Sequence, residues 1–152
     1  MNVDDIKFAV IYSYYVEKMN QQLLNRIDKA ITLILIVLGF SVFAPISNMF
    51  VVGASVALLS VLQLVYQFGP EAGLSKEQMR QYKRLMVEME TITEIQLRER
   101  FIRLQDSDSS PWQSLQNAAF KRSCIHLNRH DETRLSFKES LISWIAGDLP
   151  RT

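Results

Sequence analysis

Between Ala30 and Pro70 the chain has no Asp, Glu, Lys, Arg or His. Its 17 Lys and Arg and 16 Asp and Glu all lie outside that stretch, so a net charge of +1 hides a complete segregation. Cysteine is almost missing as well. Cys124 alone cannot close an internal disulfide, and it suits a reducing compartment. Neither sign of charge dominates, which excludes the broad basic field of a nucleic-acid partner. There is no Gly-rich phosphate loop, no nucleophile elbow and no carboxylate pair in a confined pocket. Strand alternation and internal repeats are absent too. The chain reads as all-α, without a catalytic constellation or cofactor motif, and not as an enzyme.

What is present is a long apolar run. A hydrocarbon core about 30 Å thick takes ~20 helical residues. The uncharged stretch exceeds one crossing and fits two, at 27–46 and 49–68, which together form a transmembrane hairpin over residues 27–68. At roughly −0.3 to −0.6 kcal/mol for each large apolar side chain, either segment gains about 3–6 kcal/mol on insertion. Pro45 disfavours continued helix, while Ser47 and Asn48 suit a turn and an N-cap. Neither segment has a polar face to show water, which argues against a buried hairpin of a soluble bundle. A cleaved signal peptide fits poorly, because Asp4 and Asp5 would sit in an overlong leading region. Lys18, Arg26 and Lys29 precede the run and Lys76, Arg80, Lys83 and Arg84 follow it, with no basic residue in the turn. That asymmetry predicts both termini in the cytoplasm.

The remainder predicts a cytosolic helical bundle. Residues 1–26 form an amphipathic helix, with Phe8, Tyr12, Tyr15, Met19 and Leu23 at three- and four-residue steps. Residues 74–105 read as one long helix opened by a Ser75–Gln78 capping box. Its stripe of Tyr82, Leu85, Met89 and Ile92 suits self-association, although Gln96 and Glu99 interrupt the register. Residues 106–152 hold a linker and further helices. One should be opened by Ser110, Pro111 and Gln113, and another should run from a Ser136–Glu139 box to Gly147.

Three groups of residues are candidate sites. Gly53, Ser60, Gln63 and Gln67 share one face of the second span, where a polar stripe lines a pore or packs against another helix. Gly69, Pro70 and Gly73 form a candidate hinge between that span and the helix after it. Lys121, Arg122, Arg129 and Arg134 make a candidate patch for an anionic ligand, with a solvated helix surface as the plainer reading. His126 and His130 lie four residues apart near Cys124 and Asp131, yet no second ligand cluster accompanies them, so no metal is expected. Asp106 and Asp108 lack calcium-loop spacing.

The order of a leading helix, an uncharged hairpin, "YKRLMVEMETI" and the proline-opened "SPWQSLQNAAF" resembles the SLATT group of two-transmembrane effectors in bacterial defence systems. Tyr82, Leu85, Glu88, Pro111 and Ala118 are the positions that align. The resemblance implies an oligomeric effector of the bacterial inner membrane that breaches the bilayer when infection is sensed. Because no sensor domain is fused to this chain, the trigger would be a separate cytosolic protein or a nucleotide-derived activator. A non-conducting anchor or adaptor for a cytosolic partner is the first rival reading. A phage holin or superinfection-exclusion protein is the second, and the long segment after Pro70 argues against a holin.

Overall fold

The computed structural model describes residues 3–41, 48–106 and 109–150. Among these every regular element is helical, with no strand: α1 Val3–Ser41, α2 Met49–Tyr66, α3 Phe68–Glu88, α4 Glu94–Gln105, a 3-10 turn at Gln113–Leu115, α5 Gln116–His126 and α6 Phe137–Ile145. The predicted reversal at Pro45 and Ser47 lies outside the described residues. Asn48 does stand at the N-cap of α2, although its side chain caps nothing.

The leading amphipathic helix and the first apolar segment form one rod. The 39 residues of α1 span about 58 Å, and Asp4 and Asp5 sit in its first turn, where the helix dipole favours negative charge. Helices α2 and α3 run back along α1. Gln63 meets Asp28, Ser75 meets Asn20, and Glu90 pairs with Lys7 at 3.1 Å. Towards its amino end this long antiparallel pair is packed against α4, α5 and α6. Towards the reversal it is bare.

Three apolar clusters hold the packed half. Ile6 and Val10 of α1 meet Tyr82 and Leu85 of α3 and Leu97 and Phe101 of α4. Val16, Met19 and Leu23 meet Leu115, Ala118, Ala119 and Ala146. Leu24 meets Phe68 and Ala72, with Ile27 and Ile31 at its edge. Burying one large apolar side chain is worth roughly 1.5–3 kcal/mol, so these clusters hold the helices together far more strongly than the exposed ion pairs do.

Beside these clusters runs a largely buried polar chain. Asn20 Nδ2 donates to Ser75 Oγ at 2.8 Å, and Ser75 Oγ lies 3.1 Å from Ser109 Oγ. The Ser109 hydroxyl in turn reaches the Glu17 carboxylate at 2.7 Å. The Trp112 amide donates to Asn20 Oδ1 at 3.3 Å. This chain fastens the segment entering α5 to α1 and α3.

Several predicted boundaries move. The expected long helix at 74–105 begins earlier, at Phe68, and ends at Glu88. Ser75 is therefore two turns inside α3, fully buried, and is a link in the polar chain rather than a cap. The break follows from "TIT". Thr91 Oγ1 donates to the Glu88 carbonyl at 2.9 Å, and Thr93 forms a capping box with Gln96 that starts α4. That turn lets Leu97 and Phe101 fold back on Tyr82. The Ser110 box is replaced by the 3-10 turn, whose N-cap, Trp112, has no side-chain capping bond. The Ser136–Glu139 box forms as expected. Helix α6 closes with Gly147 at φ 78°, its amide on the Trp144 carbonyl and the Asp148 amide on that of Ser143.

Candidate functional site at the root of the apolar hairpin

Helix α2 buries none of its residues, and Leu58, Leu64 and Val65 are more than half exposed. Leu33, Ile36, Val37 and Phe40 of α1 are similarly bare. Among the described residues, one helical stretch, Met49–Glu88, is long and apolar enough to cross a membrane, and its apolar window is wholly unburied. Exposed apolar surface of this extent marks a site of membrane or protein interaction.

At the root of this surface the polar groups converge. Gln63 Nε2 donates to Asp28 Oδ1 at 3.2 Å and lies 3.3 Å from Thr32 Oγ1. Thr32 in turn donates to the Asp28 carbonyl at 2.9 Å. Gly69 lies against the same carboxylate, which a Cβ there would meet at 3.5 Å. Within one chain, then, Gln63 faces α1. Of the other residues on the predicted polar stripe, Gly53 and Ser60 are exposed, with open space around Gly53. Gln67 lies where the helix breaks.

That break falls immediately before the candidate hinge residues. Gly69, Pro70 and Gly73 all lie inside α3, and the backbone turns at Gln67, which adopts φ 45° and ψ 44°. Pro70 explains the position. Its ring excludes the carbonyl of Tyr66 four residues earlier and it has no amide to donate, so α2 must end at Tyr66. The same proline fits the first turn of α3, where the amide has no partner within the helix. Phe68 then turns inward against Leu24, and its ring stacks on Tyr66 at 5.4 Å between centroids.

The structure engages three of the four candidate patch cations internally. Arg122 Nε pairs with the buried Asp148 at 3.1 Å, and Lys18 reaches the same carboxylate at 3.4 Å. The Arg129 guanidinium lies over the Phe8 ring at 5.3 Å, and Lys121 donates to the Thr133 carbonyl at 3.5 Å. Arg134 is exposed. His126 Nδ1 is 3.0 Å from the Tyr15 hydroxyl. Burial pushes the Cys124 thiol up, and nearby Asp131 adds to the shift. Hydrogen bonds from Thr133, its hydroxyl first, hold Asp131 below the usual carboxylate range.

A different set of arginines lines a groove of about 560 Å³ between α3 and α4. Arg80 and Arg84 lie on one wall and Arg100 and Arg103 on the other, with Leu85 and Leu104 between them. Glu77 and Glu88 share the groove, and Glu88 pairs with Arg100. Arg80 pairs with Glu77 at 3.9 Å and Arg103 with Glu99 at 3.5 Å. Three of the four guanidinium groups thus already face carboxylates through exposed ion pairs, which a phosphate or carboxylate ligand of small-molecule size would have to displace or share. The groove is not legible in the sequence because its arginines come from two helices where the pattern over 74–105 predicts one. The Thr93–Gln96 capping box was the signal that separates them. Comparison with protein-family models, with curated proteins and with solved structures returned no match.

Proposed function

We propose that the chain is an oligomeric effector of the bacterial inner membrane, of the SLATT type, that forms a regulated pore and depolarises or disrupts the membrane, in anti-phage defence. The observation that carries this reading is the bare apolar hairpin continuous with a well-packed bundle. Lipid would cover the exposed residues of α2 and the second half of α1, with both crossings contributing. The basic residues Arg26, Lys29, Lys76 and Arg80 flank the hairpin on the bundle side, which by the positive-inside rule puts bundle and termini in the cytoplasm.

A single hairpin encloses no channel, so conduction would need several copies. Gly53 and Ser60, uncovered on α2, would then face neighbouring chains or a lumen. Gating would pass through Gln67, which joins the membrane helix to α3. An anionic activator would meet its guanidinium groups in the groove of Arg80, Arg84, Arg100 and Arg103. A separate sensor protein remains the other candidate trigger.

Induced expression in bacteria loaded with a membrane-potential dye tests the proposal. A collapse of potential is expected, reduced by Ser60→Leu or Gly53→Leu at equal membrane abundance. A second reading, a non-conducting anchor, draws support from Gln63, whose amide is committed to Asp28 and Thr32 within the chain. An anchor would leave the potential intact.

A further inference from the structure

Helix α6 carries an apolar stripe on its outer side. Phe137, Leu141 and Trp144 are 84%, 46% and 64% exposed and lie four and three residues apart, hence on one face. The opposite face is used internally: Ile142 and Ile145 pack on the cluster of Val16, Met19 and Leu23, and Ala146 is part of it.

The helix is held at a particular level of α1. Arg26 Nη1 donates to the Ile145 carbonyl at the carboxyl end of α6. Gly147 lies so close to that guanidinium that a Cβ would meet Nη2 at 2.6 Å. The amino end of α6 is tied to α5, where Asn117 Nδ2 donates to Glu139 at 2.7 Å. Arg26 immediately precedes Ile27, the first residue of the proposed membrane crossing. On the other side of α1, Phe68 packs against Leu24 and Ile27, so its stacked neighbour Tyr66, 56% exposed, occupies the same layer. Tyr66 and Trp144 are thus two exposed aromatic side chains at the level where α1 leaves the bundle.

We propose that α6 lies in the inner membrane interface, with Phe137, Leu141 and Trp144 seated among the lipid headgroups and upper acyl chains. The proposal rests on the membrane reading above. Lipid is favoured over a protein partner because the carboxyl end of the stripe is held, through the Ile145 carbonyl, to Arg26, the residue before the proposed crossing. Tryptophan and tyrosine concentrate at that depth. Exposed Lys138, next to Phe137 in α6, and exposed Lys29, near the start of the proposed crossing, supply cations for lipid phosphates. Bound in this way, α6 would fix the height and tilt of the bundle, through Arg26, against the bilayer.

The chain has 2 tryptophans, so Trp112→Phe leaves Trp144 as the only emitter. The full-length variant is reconstituted in phosphatidylcholine–phosphatidylglycerol vesicles whose acyl chains are brominated at a shallow or a deep position. Trp144 should emit at shorter wavelength than in water and lose about half or more of its intensity to shallow bromines, with less lost to deep ones. Emission indifferent to bromine overturns the proposal, whether Trp144 stays open to aqueous iodide or is shielded by a protein contact. A second variant, Trp112→Phe/Trp144→Phe/Leu58→Trp, reports on the hairpin itself. Quenching of that reporter without quenching of Trp144 sinks the proposal for α6 alone, whereas no quenching of either sinks the membrane reading with it. Should Trp112→Phe not fold, the difference between the natural chain and Trp144→Phe gives the same signal.

Discussion

The side-chain amide of Gln63 donates to the Asp28 carboxylate at 3.2 Å, joining α2 to α1 where the apolar hairpin meets the bundle. A carboxylate facing an apolar helix is costly unless a donor reaches it. Gln63→Leu should therefore lower stability by about 1–3 kcal/mol, by leaving Asp28 without that donor. Replacing both residues, as Asp28→Leu with Gln63→Leu, should recover much of the loss, because no polar group is then stranded. Thermal unfolding in detergent, run as a double-mutant cycle, measures the coupling. Additive losses would show that the two side chains do not interact.

The break at Gln67 gives a second expectation. A non-glycine residue in the left-handed region costs roughly 1–2 kcal/mol, a cost that glycine does not incur. Gln67→Gly should be neutral or slightly stabilising. Gln67→Val should be clearly destabilising, since branching at Cβ tolerates φ 45° poorly. Pro70→Ala should remove the reason for the break and let α2 continue into α3. In the depolarisation assay it should act more strongly than Gly73→Ala, because Gly73 faces open space on α3.

The buried chain of Glu17, Ser109, Ser75 and Asn20 gives a third. Ser75→Val leaves Asn20 Nδ2 without its 2.8 Å acceptor and removes a neighbour of Ser109. A loss of about 1–3 kcal/mol is expected. The segment from Ser109 to Trp112 should loosen before the rest of the fold, because the Trp112 amide depends on the same Asn20. Hydrogen exchange would locate the effect, and Ser75→Thr should be milder if the hydroxyl is what matters.

These three sites differ in how far the sequence reveals them. The apolar hairpin is legible because absence of charge over so long a run has few structural solutions. The Ser136–Glu139 box and the Gly147 stop are legible because both are local, set by backbone groups within one turn. Ser75 and Gln78 carry the same local pattern, yet Pro70 moves the helix start to Phe68 and makes Ser75 an interior residue. The arginine groove and the Asp28–Gln63 contact need knowledge of which helices are neighbours. Periodicity along one helix cannot provide that. The exact position of the backbone break, at Gln67, is illegible for a related reason: glycine marks where a turn is cheap, whereas the ring of Pro70 sets where the helix stops.

Glu139 sets the behaviour of α6 in acid. Its carboxylate is held below the usual glutamate range, first by the backbone amide of Ser136 at 2.7 Å, then by the Ser136 side chain, with Asn117 adding to the effect. A carboxylate whose folded value lies below its unfolded one stabilises the fold above the unfolded value, near pH 4.3, and that contribution fades as pH falls through the folded value. The amino end of α6, and its tie to α5, should therefore weaken as pH falls from the unfolded glutamate value through the lower folded one. Asp131, similarly lowered by Thr133, titrates on the preceding loop and has to be separated from it. Glu139→Gln retains an oxygen acceptor and removes the titration. Its acid transition, followed by Trp144 emission in a Trp112→Phe background, should be flattened while Asp131→Asn leaves the natural profile in place. If Asp131→Asn abolishes the transition and Glu139→Gln does not, the loop rather than the α6 cap is the acid-sensitive element.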